Sequence, residues 1–171
     1  MADPVTTVTS PIRLEYDINA GEAPSRFLRG LVEGRIVGQR CPVCSKVYVP
    51  PRGSCPVDGV ATTDEVELAH TGTVTTFCVV NLEFSPLAPE IPYVCAQVLL
   101  DGADIALFGL VAEVPAAEVR MGMRVEAVWA PDDERGTDAD TRGWGFGSAI
   151  TGWRPSSEPD VDKAHYAEHM L

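Results

Sequence analysis

Apolar positions follow a helical period before residue 34 and a strand period after residue 65. Phe27, Leu28, Leu31 and Val32 recur on one helical face, with Pro24 in the first turn and Gly34 as a stop. A helix is therefore expected over 24–33. Ile36-Val37 and residues 46–49 read as two short strands around a stretch rich in Cys, Pro and Gly. Further strands are expected over 66–69, 73–84, 93–100, 105–111 and 123–130, where apolar residues alternate or run together. Residues 143–150 read as a last strand whose glycines permit sharp coiling. Asp101-Gly102 is a hairpin-turn signal, and 115–121 a short helical turn. Three prolines make 85–92 a loop, and 131–142 form an acidic loop. Residues 1–20 show little periodicity. Five or six irregularly spaced strands and one small helix fit a small closed barrel.

The stretch between Val37 and the strand expected from residue 66 carries chemistry. Cys41-Pro-Val-Cys44 is a Cys-x-x-Cys knuckle, and Cys55-Pro-Val-Asp58 repeats it with aspartate in the fourth position. A two-residue gap lets both side chains of a knuckle reach one ion, and zinc accepts carboxylate as well as thiolate. Cys41, Cys44, Cys55 and Asp58 are therefore the candidate ligands of a structural zinc. A catalytic zinc would need an open position, and no His lies in the ribbon. His70, His165 and His169 are outside it, and His70 is the alternative fourth ligand. A ribbon without metal, held by packing or by a Cys41–Cys44 bridge, is the competing reading.

Composition narrows the class. The chain has 171 residues, 45% hydrophobic and 22% charged, as folded domains do. No run of about 18 apolar residues is present to span a membrane. The first residues lack the basic start and apolar core of a signal peptide. Five cysteines, three in metal-like spacing, point to a reducing, cytoplasmic setting. Cys78 and Cys95 read as buried strand residues with no neighbouring base to activate them. The net charge of −12 opposes nucleic acid as a partner. Residues 26–52 nevertheless hold Arg26, Arg29, Arg35, Arg40, Lys46 and Arg52 against Glu33, a formal +5 that leaves −17 elsewhere. Those cations either balance thiolates and solvate a face or receive an anionic, phosphate-bearing ligand. Asp101, Asp104, Asp132, Asp133, Asp138 and Asp140 read as solvated loop acids. There is no Gly-x-Ser-x-Gly elbow, phosphate-binding Gly-rich loop or His-Glu-x-x-His. The chain reads as a binding module.

Several motifs in order carry a resemblance: Phe27-Leu28 to Gly34, Gly38-Gln-Arg-Cys-Pro-x-Cys, Val47-Tyr-Val-Pro-Pro-Arg52, Cys55-Pro, Gly72-Thr-Val-Thr-Thr-Phe77 and Gly122-Met-Arg-Val125. Over about residues 14–153 the chain resembles the zinc-ribbon/OB-fold proteins encoded beside thiolase-like enzymes. That resemblance implies a mainly β fold: an N-terminal helix, a rubredoxin-like zinc ribbon and a C-terminal OB-fold barrel. The units expected are an extended leader (1–23), helix plus ribbon (24–62), barrel (63–154) and acidic tail (155–171). It further implies a non-catalytic accessory subunit of a thiolase-superfamily partner in a hetero-oligomer, with an acyl-coenzyme A thioester as ligand. In actinobacteria similar modules pair with sterol-carrier-type thiolase homologues, retro-aldolases of steroid side-chain degradation. Arg26, Arg29, Arg40 and Arg52 are the expected contacts to the coenzyme A phosphates, and the tail an arm for the partner. Residues 47–51 are either an apolar interface tongue or the ribbon's own core. Two departures stand out: Asp58 for a fourth cysteine, and Ser45 for the glycine that often follows a knuckle. Rival readings are a nucleic-acid-binding ribbon/OB protein and a stand-alone thioester hydrolase.

Overall fold

The computed structural model describes residues 19–82, 89–135 and 149–170. Helix α1 (Glu22–Val32) buries Ala23, Phe27, Gly30 and Leu31, one stripe at helical spacing, and turns Arg26 and Arg29 outward. Gly34, at φ +74, ends it: Arg35 N–H reaches back to Gly30 O (2.8 Å) and Gly34 N–H to Leu31 O (3.0 Å). This is the crossed pair of bonds of a left-handed helix stop, a conformation that favours glycine.

Strands β1 (Ile36–Arg40), β2 (Val47–Tyr48) and β3 (Asp64–Leu68) form an antiparallel sheet in the order β2-β1-β3. Strand β3 falls in the stretch assigned to the barrel by sequence. It instead pairs along all of β1, from Ile36 opposite Leu68 to Arg40 opposite Asp64.

A closed barrel follows, from β4 (Thr71–Val80), β5 (Tyr93–Leu100), β6 (Leu107–Val111), β7 (Arg124–Trp129) and β8 (Ile150–Pro155). Its order is β4-β5-β6-β8-β7, closing where β7 meets β4. A bulge between Val74 and Thr76 bends β4 so that one strand pairs with both β5 and β7. Strand β6 meets β8 in parallel at the pair Val111–Trp153. Along β5, Val94, Ala96, Val98 and Leu100 point inward and Tyr93, Cys95, Gln97 and Leu99 outward. Phe27, Leu31, Ile36, Val47, Val49 and Leu68 join Val74, Val98, Val125 and Trp153 in one continuous core. Helix, ribbon sheet and barrel therefore share an interior.

Several expectations change in detail. The strand expected over 105–111 starts at Leu107, and the one expected over 73–84 runs Thr71–Val80; residues 83 and 84 lie outside the described residues, as do 85–88, 136–148, 171 and the leader to residue 18. Cys78 is exposed and Cys95 half-buried, not buried. The alternation around them is real, but its apolar phase on β5 belongs to Val94, Ala96 and Val98. Residues 47–49 are at most 2% exposed, so they are ribbon core, not a tongue.

Two loop acids are not free in solvent. Asp104 accepts Val47 N–H (2.8 Å) and returns its own N–H to Val47 O (3.0 Å), clamping the ribbon to the β5–β6 turn. Asp101 accepts from the buried Arg124 guanidinium at 2.7 and 2.6 Å, and Glu158 holds the same guanidinium at 2.7 Å. The chain after β8 lies along its own barrel. Ser156 N–H bonds Arg124 O and Val161 N–H bonds Gly122 O, both at 2.9 Å, while Asp160 pairs with Arg120. Tyr166 is buried against Gly122.

Candidate metal centre

The first knuckle leaves β1 at Cys41 and returns to β2. Cys41 N–H bonds Lys46 O (2.9 Å), and Ser45 N–H bonds Cys41 O (3.1 Å). The second repeats this wiring: Cys55 N–H to Val60 O (2.8 Å) and Gly59 N–H to Cys55 O (2.9 Å). Ser45 and Gly59 occupy equivalent places, and both have positive φ, 62° and 66°. Ser45 thus adopts a conformation that a glycine meets without strain.

Both turns aim backbone N–H groups at sulfur. Val43 N–H and Cys44 N–H point to Cys41 Sγ at 3.4 and 3.5 Å, and Asp58 N–H to Cys55 Sγ at 3.4 Å. Such donors favour a thiolate. The Tyr48 hydroxyl, buried in the ribbon core, lies 3.2 Å from Cys55 Sγ. Burial alone pushes the Cys55 thiol up, but Tyr48 and the N–H groups of Asp58 and Val57 outweigh it and lower it. The Asp58 carboxyl is held below the usual carboxylate range by the Cys44 thiol first, then Cys41 and Cys55. The same bond to Asp58 pushes Cys44 up to about 12.

The ligand atoms of Cys41, Cys44, Cys55 and Asp58 all lie within 4.8 Å of one another. Cys44 Sγ and Cys55 Sγ are 3.7 Å apart; Asp58 Oδ2 is 3.2 Å from Cys41 Sγ and 3.3 Å from Cys55 Sγ. Tetrahedral zinc with bonds of about 2.3 Å to sulfur and about 2.0 Å to oxygen needs edges of about 3.8 and 3.5 Å. The donor set fits a closed, structural zinc with small adjustments. His70 is not part of it. Its Nδ1 accepts from the Trp129 indole (3.3 Å) on the barrel, which removes it as the alternative fourth ligand.

The basic stretch divides into two groups. Arg26 pairs with Glu22 and with Glu65 (2.9 Å), Arg35 with Glu33 and Glu67 (3.5 Å), and Arg40 with Asp64 (3.7 Å). Glu22 and Glu33 are local to the helix, whereas Asp64, Glu65 and Glu67 come from β3, which sequence order hides and sheet pairing brings beside β1. Arg29 and Arg52 are exposed and have no ion pair among the described residues. A pocket of about 190 Å³ lies next to Arg26, lined also by Glu22, Ala23, Gln39, Gly53 and Thr62. Buried Gln39 shapes its wall, its side-chain oxygen accepting from Gly53 N–H (3.2 Å) and Thr62 Oγ1 (3.1 Å).

Sequence reasoning missed the Tyr48 contact to a ligand sulfur, although Tyr48 stands next to the knuckle in β2. It also missed Arg124, whose partners Asp101 and Glu158 lie too far along the chain for any spacing rule. Among the described residues no helix is long and apolar enough to cross a membrane.

Comparison with known proteins agrees with this layout. A family described as the ChsH2 rubredoxin-like zinc ribbon domain matches residues 29–64, and the ChsH2 C-terminal OB-fold domain matches 65–130. A DUF35 domain-containing scaffold protein of Methanocaldococcus jannaschii is 35% identical over 105 residues, 60% of this chain and 73% of that protein. A probable enoyl-CoA hydratase alpha subunit of Thermomonospora curvata is 36% identical over 99 residues, 58% of this chain but 30% of that longer protein. Among solved structures, an Ltp2-ChsH2(DUF35) aldolase superposes with a TM-score of 0.59 at 27% identity, covering 82% of this chain and 98% of that one. A DUF35 protein of unknown function from Sulfolobus solfataricus shares the fold, at 20% identity and a TM-score of 0.53, over 63% of this chain and 78% of its own.

Proposed function

The chain belongs to the ChsH2 family of DUF35 proteins, and on that premise we propose that it is a non-catalytic accessory subunit of a thiolase-superfamily partner that acts on acyl-CoA thioesters. The observation that carries this reading is the likeness to the Ltp2-ChsH2(DUF35) aldolase over nearly the whole of that chain. The specific reaction proposed is retro-aldol cleavage of a steroid side-chain thioester. The relative named as an enoyl-CoA hydratase subunit supports a coenzyme A setting.

The parts divide the work in a physically reasonable way. Structural zinc on Cys41, Cys44, Cys55 and Asp58 would fix the two knuckles relative to β1 and β2. The four proposed contacts to coenzyme A phosphates are Arg26, Arg29, Arg40 and Arg52. Arg29 and Arg52 need give up no ion pair among the described residues, whereas Arg26 and Arg40 must share their charge with Glu22, Glu65 and Asp64. On the barrel, Phe108 is 60% exposed beside an apolar cleft lined by Leu110, Ile150 and Trp153, a surface suited to a partner or an acyl group.

The test is co-expression with a candidate thiolase-superfamily partner, then an assay of CoA-thioester cleavage. The expected result is a pair that purifies together and is active when neither chain is active alone. Steady turnover of an acyl-CoA by this chain alone, or failure of the two to associate, overturns the reading.

A further inference from the structure

The five cysteines fall into two groups, with Cys41, Cys44 and Cys55 in the ribbon and Cys78 and Cys95 on the barrel. The second group has no role in the metal centre or in the proposed function. Cys78 on β4 is in direct register with Cys95 on β5, so both side chains leave the same face of the sheet. That face is the outer one, because Val94 and Ala96 on either side of Cys95 point into the core. Both thiols are free, Cys78 exposed and Cys95 half-buried. Burial pushes the Cys95 thiol up, and neighbouring Cys78 adds to the push. Directly opposite residues of antiparallel strands are about 4.5 or 5.5 Å apart at Cα, depending on the kind of pair. Either spacing lies inside the range of about 4.4–6.8 Å that disulfides span.

We propose that Cys78 and Cys95 form a reversible cross-strand disulfide by exchange with a low-molecular-weight disulfide. Exposed Cys78 reacts first. Its thiolate attacks one sulfur of the small disulfide, expels one small thiolate and forms a mixed disulfide. Cys95, its proton lost to solvent, then attacks Cys78 Sγ and expels the second small thiolate. Two protein thiols are oxidised by two electrons, and the small disulfide is reduced to two thiols that take up the two protons. Of the ribbon sulfurs, Cys41 and Cys55 are at most 1% exposed, and half-buried Cys44 would be held by the metal in the zinc-loaded chain. The bridge would lie two register steps inside Val80–Tyr93, the last pair before the β4–β5 connection, and would fasten the mouth of that hairpin.

The experiment uses the full zinc-loaded chain and oxidised glutathione. Cleavage after glutamate places the ribbon cysteines on fragment 34–65, Cys78 on 68–83 and Cys95 on 91–113. The expected product joins 68–83 to 91–113, two hydrogens lighter than their sum, and separates again on reduction by dithiothreitol. Cys78→Ser and Cys95→Ser each abolish the link without changing zinc content, and Cys95→Ser accumulates the glutathione adduct on Cys78. No reaction, an adduct on Cys78 that never resolves, a link to fragment 34–65, or a Cys78 link between two copies overturns the proposal.

Discussion

At the scale of single residues, the metal centre rests on what surrounds each sulfur. The Tyr48 hydroxyl lies 3.2 Å from Cys55 Sγ and can donate to it as a thiolate, a contact of the kind that tunes a ligand. Tyr48→Phe keeps the packing and removes the donor, so zinc affinity is expected to fall by about tenfold, as outer-shell losses do. Competition with a chromophoric chelator reads this directly. Asp58→Cys is expected to tighten retention, because it completes the thiolate set, whereas Asp58→Ala loosens it. Ser45 offers a stability test. Ser45→Gly relieves a left-handed serine at a site where the second knuckle already uses glycine, and is expected to stabilise by about 1 kcal/mol in denaturant titration.

At the scale of elements, Arg124 on β7 joins the β5–β6 turn, through Asp101, to the chain after β8, through Glu158. The Arg124 guanidinium, followed by the Thr71 hydroxyl after allowance for burial, holds the Asp101 carboxyl below its ordinary value. A depressed folded-state pKa means that this contribution is complete above the ordinary carboxylate range. It is lost as pH falls through that range and below it. Arg124→Met is expected to cost about 1–2 kcal/mol at neutral pH, less than a fully buried pair because both carboxylates are about half exposed. It should also flatten the acid limb of the stability curve, and thermal melts of both proteins from pH 7 to pH 3 check the two effects together. The segment after β8 belongs to the same element-level logic. Its Tyr166, Asp160 and Glu158 bind the barrel, so truncation after Pro155 is expected to lower the melting temperature by several degrees. A truncated chain that melts as the full one does would show that those contacts contribute nothing.

At the scale of the molecule, ribbon and barrel share one core, yet they depend on zinc differently. Among the described residues the knuckles centre on a small buried cluster of Cys41, Tyr48 and Cys55, with Cys44, Val60 and Ile105 packed against it, while the barrel has its own apolar strands. Chelation at neutral pH is therefore expected to release hydrogen-exchange protection in 41–60 and to preserve it in β5 and β7. Loss of protection throughout would show that the shared core makes folding a single metal-dependent step.

The helix was legible because its stripe and its Gly34 stop are local, and the barrel class because alternation over 93–100 and 123–130 is a two-residue property. The ligand set was legible for a related reason: a knuckle is short enough that its spacing is its geometry. What the sequence by itself determined is therefore whatever a few consecutive residues decide. Tertiary structure decided the rest. Pairing of β3 with β1 set Asp64, Glu65 and Glu67 against cations that looked unopposed along the chain, and barrel closure turned Cys78 and Cys95 outward in register. Folding back of the segment after β8 gave the buried Arg124 its second carboxylate. Each of these joins residues far apart in sequence, where proximity follows from closing loops and burying apolar faces and no local pattern records it.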